Sequence, residues 1–536
     1  MKLFFASLLV AISGFIALSY EILWFRVFAF TTGGAAIAFS ALLGAYLLGI
    51  ALGSLISGRF CNEDGAFSPK QLQVVALFIL LGNLAGFLSI PWIASLIVDG
   101  AVINILTVHA SPFVPVVFVA ALLGAQFPLI SHYGIEPDDL AGARLSYLYL
   151  SNIIGAVFGS LLTGFVLLDH YSMAQTAVIL TCLGVVLAVA LYVSARPTRS
   201  QQAAAVVVGL GTIIGVGTSS ESLYHHIYEK LQWSTAYNDH ESFKHIIENK
   251  SGVITVNEDD QIYGGGLYDG KFSTDLIDDM NMIGRAYSLS LFHPAPRQML
   301  MIGLSSGSWA AVLANHPQLE KLTIIEINPG YLGLIEQYPE QTQILSDPRV
   351  EIIIDDGRRF LNRTDETYDA IIINTTYNWR SQISNLLSVE FNELIQAHLK
   401  PGGLYQFNTT GSAESIQAAF EVFPAVAGVL NHVIVSDTPF DVNKARWESM
   451  LRSYEIYGEP VFDLSLTEHQ EHLDWLLAQA ELLYTEPPPG WAYAVGWEYF
   501  LPQSYMSLAA GDAVPITDDN MGTEWPDPEI EWFTAD

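Results

Sequence analysis

Four short stretches carry residues whose types and spacing could bind a nucleoside. "MLMIGLSSGSW" runs from an apolar segment into a Gly/Ser turn, Gly303 to Gly307, and then into a helix-like run. A strand, a tight turn and a helix N-terminus present backbone N–H groups to a ligand. "TIIEINPG" puts Glu326 at the tip of a second apolar run, 23 residues after Gly303. An acid there can accept both hydroxyls of a ribose. "EIIIDDGRRFL" ends a third run in Asp355, Asp356 and Gly357, where a carboxylate can take the amino group of a base. "YDAIIINTTYNW" ends a fourth run in Asn374. The turn lacks G-x-x-x-x-G-K-[ST] and the full dinucleotide fingerprint, so the ordered set suits a nucleoside without phosphates. Capped turns of a sheet that binds nothing would look similar one motif at a time.

The elements that must hold these residues follow from the pattern. Strand candidates lie at 299–303, 322–327, 350–354, 369–374, 403–408 and 430–436, with helical patterns between them. That alternation predicts an open, parallel α/β sheet covered on both faces, with ligands at the carboxyl ends of its strands. Ahead of it, "KHIIENKSGVITVNEDDQIYGGGLYDGKFS" alternates apolar and polar residues around Gly, Asp and Ser breaks, which predicts a small β-meander.

Charge divides the 536-residue chain sharply. Residues 1–219 hold 7 Lys+Arg and 8 Asp+Glu, which leaves 16 and 47 for residues 220–536. The second part is strongly acidic. Phosphate backbones need basic surfaces, so nucleic acid is excluded as a partner. A cationic substrate such as a polyamine suits this field, and so does a plain solvated acidic surface. Both cysteines, Cys61 and Cys182, lie in the first part, so the acidic part has neither a disulfide framework nor a Cys-based zinc site. No metal is expected.

The first part is a series of apolar runs, at about 3–25, 36–58, 71–92, 112–131, 145–168, 172–194 and 203–218. Six are long enough to cross a bilayer and the seventh is marginal. This predicts a multi-pass helical domain over 1–219 with the lipid bilayer, in the cell (inner) membrane, as its partner. Lys2, Arg59, Lys70, Arg144, Arg196 and Arg199 fall on one side and Arg26 on the other, which puts the first side in the cytoplasm. The side of the acidic part depends on the seventh run. "GIALGSLISG" and "GAVFGSLLTG" share G-x-x-x-G-S-L-x-x-G, a helix-packing pattern placed three crossings apart, as in inverted repeats. Glu21 is a functional candidate by its depth, or a partner for Arg26.

Taken together, the soluble stretches resemble the spermidine/spermine synthase family of aminopropyltransferases, a branch of the methyltransferase-like Rossmann folds. "MIGLSSG", "TIIEINP", "DPRVEIIIDDGRRFL", "YDAIIINTTYNW" and "LLSVEFNELIQAHLKPGGLYQF" carry the likeness over about 240–410. "PITDDNMGTEW" and the opening "SYEILWFR" are similar to the branch with fused membrane helices. The resemblance implies a helical membrane domain (1–219), a small β-strand domain (220–296) and a Rossmann-like, methyltransferase-type domain (297–536). It implies decarboxylated S-adenosylmethionine, or S-adenosylmethionine, as co-substrate and a polyamine-like amine as acceptor. Gly303, Ser305 and Gly307 would line the nucleoside turn, Glu326 hold the ribose, and Asp356 with Gly357 the adenine. The family's fourth strand tip reads Asp-Ser-Ser-Asp; here it is Asn374-Thr375-Thr376-Tyr377, and both carboxylates are replaced. Asn374 and Tyr377 become the catalytic candidates, joined by Asp278 or Asp279 from "STDLIDDMNMIGRAYS". A methyltransferase, or an inactive nucleoside- or polyamine-binding domain regulating a transporter-like membrane half, are the alternatives. Oligomeric state, a homo-oligomer included, is left open.

Overall fold

The computed structural model describes residues 3–61, 69–100, 111–375, 377–381, 383–491 and 499–520. Lys2, Thr376, the side chain of Lys70 and positions 521–525 of the closing stretch lie outside them. The chain divides into two compact units, 1–253 and 254–531.

Among the described residues, the first unit contains seven helices long and apolar enough to cross a membrane: Leu3–Thr31, Ala36–Phe60, Gln71–Val98, Ser111–Gly134, Ala141–His170, Met173–Ser194 and Arg199–Leu223. Each predicted run becomes one of these spans. The marginal seventh run grows to 25 residues. Thr198 and Gln201 form a capping box at its start. Further along, Thr212, Thr218 and Ser220 return their hydroxyls to carbonyls of the preceding turn, so polar residues do not end the helix. At 1.5 Å per residue the helix reaches about 37 Å, enough for a bilayer.

Both copies of the glycine motif make close helix contacts. A Cβ on Gly155 would lie 1.9 Å from the Ala11 carbonyl oxygen, and one on Gly53 would lie 1.9 Å from that of Ala121. The fifth span thus packs on the first and the second on the fourth, while the third packs on the sixth. Exchanging spans 1–3 with spans 4–6 reproduces this set of pairs, as an inverted repeat requires.

Residues 224–250 fold back onto one end of this bundle. The Ser234 hydroxyl donates to the Ile97 carbonyl (3.3 Å) and the Met173 N–H to Glu248 (2.8 Å). Lys250 pairs with Asp169 at 2.9 Å. Arg26 reaches Glu248 (3.8 Å) and the Asn249 carbonyl, and the Tyr228 hydroxyl donates to Glu248 (2.7 Å). Arg26 therefore pairs with Glu248 and not with Glu21.

Strand β1, Phe243–Asn249, belongs to the first unit. Next in the chain, β2 (Gly252–Asn257), β3 (Gln261–Gly264) and β4 (Leu267–Lys271) pair antiparallel in chain order as a meander. The main sheet follows with β5 (Gln298–Ile302), β6 (Lys321–Glu326), β7 (Val350–Ile354), β8 (Tyr368–Ile373), β9 (Leu399–Asn408), β10 (Ala425–Val429) and β11 (His432–Ser436). After a two-stranded hairpin, β12 (Glu455–Ile456) with β13 (Glu459–Pro460), β14 (Phe500–Leu501) completes it. The order is β14-β10-β11-β9-β8-β5-β6-β7. Strands β5 to β9 run parallel; β9, β11, β10 and β14 pair antiparallel. Leu300, Ile302, Ile371, Ile373, Tyr405 and Phe407 are buried, as expected of strands covered on both faces. Burying each such side chain fully stabilises the fold by about 1.5–3 kcal/mol.

The antiparallel edge departs from the parallel sheet read in the sequence. The predicted run 430–436 is the second arm of a hairpin whose two-residue turn is Leu430-Asn431, with Leu430 at φ 54°. Leucine is a rare choice for positive φ, so "AVAGVLNHVIV" shows no turn.

Candidate active site

Chain order reverses between β5 and β8: β6 and β7 lie to one side of β5, while β8 and β9 lie to the other. The crevice at the carboxyl ends of β5 and β8 is where such a sheet takes a ligand. The turn after β5 begins with Gly303 at φ 92° and ends with Gly307 at φ 76°, both left-handed. Ser305 between them sits at φ 46°. Its hydroxyl donates to the Asp269 carbonyl at 2.6 Å, which ties the turn to β4.

Glu326, at the tip of β6, lies directly under this turn and is 4% exposed. Its carboxylate accepts the Leu304 N–H (2.6 Å) and the Asn328 N–H (2.7 Å), one on each oxygen. Burial pushes the carboxyl up to about 7, against the pull of those N–H groups. Beside it, the Tyr331 hydroxyl donates to Asp269 at 2.5 Å, and burial raises the Asp269 carboxyl as well. Gly303, Ser305, Gly307 and Glu326 thus come together as one constellation, joined by Asp269 and Tyr331, which the sequence reading passed over.

At the end of β7, the Asp355 N–H donates to the Glu326 carbonyl at 3.1 Å, so the two tips are adjacent. Asp355 pairs with Arg359. Asp356 caps the helix Gly357–Leu361, accepting the Arg359 N–H at 2.7 Å. Gly357 has a packing reason of its own: a Cβ there would lie 2.6 Å from Ile302 Cγ2.

The tip of β8 is organised by a histidine. His432 is fully buried, and desolvation holds its imidazole well below its ordinary pKa, hence neutral. Gln406 donates to its Nδ1 (3.4 Å), which leaves Nε2 to donate to Asn374 Oδ1 (3.2 Å). The ring stacks on Trp309, and the Arg285 guanidinium lies over the same indole. Tyr377 sits at φ 62°, and its N–H donates to Thr410 (2.9 Å), itself at φ 45°. Burial pushes the Tyr377 phenol up. The turns after β5, β8 and β9 thus each hold a non-glycine residue at positive φ, a strain of about 1–3 kcal/mol per residue that collects at functional sites.

Asp279 lies on the Arg285 side of this cluster, where the two groups feel each other's charge. Its carboxylate accepts the N–H groups of Ile283 and Gly284 (3.0 Å) at the start of the helix Gly284–Tyr287, and burial raises its pKa. Asp278 is exposed.

A spermine/spermidine synthase domain matches residues 286–427. A polyamine aminopropyltransferase of Oceanobacillus iheyensis is 22% identical over 76% of this chain and 77% of its own length. Another, from Mycobacterium tuberculosis, is 24% identical over 75% of this chain and 76% of its own. The solved structure of a probable spermidine synthase from Corynebacterium glutamicum is 19% identical and covers 52% of this chain and 95% of its own, with a TM-score of 0.33. The matched domain opens at Ala286, one residue after Arg285, and spans the β5, β6, β7 and β8 tips in the order that the motifs require. Residues 286–427 thus match a spermine/spermidine synthase domain and the chain is similar to polyamine aminopropyltransferases, with long apolar helices ahead of the matched domain.

Proposed function

We propose that the protein is a membrane-bound, multi-pass aminopropyltransferase of the cell membrane, built as 1–219, 220–296 and 297–536. It takes decarboxylated S-adenosylmethionine and a polyamine-like amine. The amine lone pair attacks the carbon beside the sulfonium. An N–C bond forms, the C–S bond breaks with its pair to sulfur, methylthioadenosine leaves, and the ammonium sheds a proton.

The observation that carries this reading is Glu326 under the glycine turn. Its two oxygens accept backbone N–H groups from the turn and from Asn328 and keep acceptor capacity beyond them, which suits a ribose hydroxyl. In this reading Gly303, Ser305 and Gly307 line the nucleoside, and Asp356 and Gly357 border the adenine. Asn374 and Tyr377 orient the amine. Neither is a base near neutral pH, so Asp279, whose pKa is raised by burial, takes the proton.

Asn374 also favours a second reading. With its Oδ1 engaged by His432, the domain binds a nucleoside and an amine without joining them. Purified full-length protein given both adenosyl donors and a mixture of amines separates the cases. Methylthioadenosine is expected. S-adenosylhomocysteine means a methyltransferase, and neither product means a binding domain.

A further inference from the structure

In the first unit a cavity of about 250 Å³ opens between the first, second, fourth and fifth spans. These are the helices paired by the two copies of the glycine motif, and inverted halves place binding sites at their shared interface. The fourth span consists of two helices, Val114–Gly124 and Gln126–Gly134, which meet at Ala125 beside the cavity. The wall is mainly apolar, with Val10, Leu18, Ile50 and Ile130, but Ser13 and Gln126 also line it. Ser13 is 9% exposed and Gln126 1%. Ser13 Oγ and Gln126 Nε2 have no hydrogen-bond partner within the protein. A buried amide donor without a partner is costly, so the site is built for a guest that offers an acceptor.

One helical step beyond the residues that line the cavity stands Glu21. The first span contributes Val10, Ser13, Gly14, Ala17 and Leu18 to the wall, a helical stripe whose next member is Glu21. Glu21 lies ten residues from the end of its helix, whereas Asp169 and Glu221 lie within two residues of theirs. Arg26, the nearest cation in sequence, is engaged by Glu248, and among the described residues Glu21 has no ion-pair partner. Tyr46, which lines the cavity, feels the Glu21 charge. A carboxylate at this depth calls for a counter-charge that the chain does not supply. Ser13 and Glu21 are eight residues apart, about 12 Å along the helix, so the guest is elongated.

We propose that this cavity binds an extended aliphatic amine. Its ammonium group faces Glu21, its chain lies along the apolar wall, and a hydroxyl or neutral amine at the far end accepts from Gln126. The probe is radiolabelled 6-amino-1-hexanol in equilibrium dialysis against full-length protein in lipid nanodiscs. Saturable binding near one equivalent is expected. Glu21→Gln weakens it tenfold or more, 1-hexanol does not compete, and Glu468→Gln on the acidic surface leaves it unchanged. Non-saturable binding by wild type, or Glu21→Gln binding like wild type, overturns the proposal. Should Glu21→Gln fail to fold, Gln126→Leu is read in the same way, with a tenfold loss expected and unchanged binding contradicting it.

Discussion

At the scale of single residues, Glu326 and Asn374 carry most of what can be tested. Burial lifts Glu326 to about 7 in the fold, against an ordinary value of 4.5. The folded state therefore holds a proton that the unfolded chain gives up. Glu326 supports stability fully below about pH 4.5, and this contribution is lost as pH rises through 7. Thermal unfolding of full-length Glu326→Gln, compared with wild type from pH 4 to 8, should show a gap that moves in the mutant's favour as pH rises. A gap independent of pH would contradict a buried, proton-holding Glu326. The same substitution should weaken methylthioadenosine binding about tenfold by calorimetry, because an amide accepts on one side only. Restoring a carboxylate with Asn374→Asp should raise turnover tenfold or more, since general-base catalysis is commonly worth that much. An unchanged rate would remove the β8 tip from the amine site. Sequence alone showed the residues that end strands, because a glycine or an acid after an apolar run is conspicuous. It did not show Asp269, Arg285 or His432. Asp269 stands in a glycine-rich hairpin that reads as turn chemistry, and His432 acts through Gln406 and Trp309, contacts that only folding creates.

Among the elements, the helix ends and helix crossings are the most exposed to test. Arg26 and Glu248 have side chains 8% and 13% exposed. Glu248→Gln would strand the guanidinium, at a cost of about 3–5 kcal/mol, read as a lower unfolding midpoint of the full-length protein. A loss below about 1 kcal/mol would show the pair to be solvated. Gly155→Leu should prevent the first and fifth spans from meeting and abolish the folded, monodisperse protein, because the atom it strikes is backbone. Six spans were legible from apolar length and the seventh only as a marginal run, while strands β5 to β8 were legible from their runs and tips. The β10–β11 hairpin was not, because a leucine takes its turn. The length of the seventh helix was not, because its cap and its returned hydroxyls are polar and look like an end.

For the whole molecule, the basic residues at the span ends and the path of the chain combine into one expectation. Residues 224–250 pack on the bundle end that carries Arg26, Ile97 and Asp169, opposite the end that carries Arg59, Arg144, Arg196 and Arg199. With seven crossings and the basic end in the cytoplasm, residues beyond the spans are expected on the outer side. A cysteine placed at the exposed Glu468, with Cys61 and Cys182 replaced by serine, should react with an impermeant thiol reagent in intact cells; reaction only after lysis would reverse the topology. An outward domain would need its adenosyl donor outside, so the chemistry is best settled on purified protein. The most direct measurement follows the amine and not the nucleoside. Full-length protein is given a donor deuterated in its aminopropyl group and a mixture of amines, and the amines are then weighed by mass spectrometry. An amine that has gained one labelled aminopropyl group, in step with methylthioadenosine, is the expected result. Methylthioadenosine without a labelled amine, or neither product where a working synthase turns over, would contradict aminopropyl transfer.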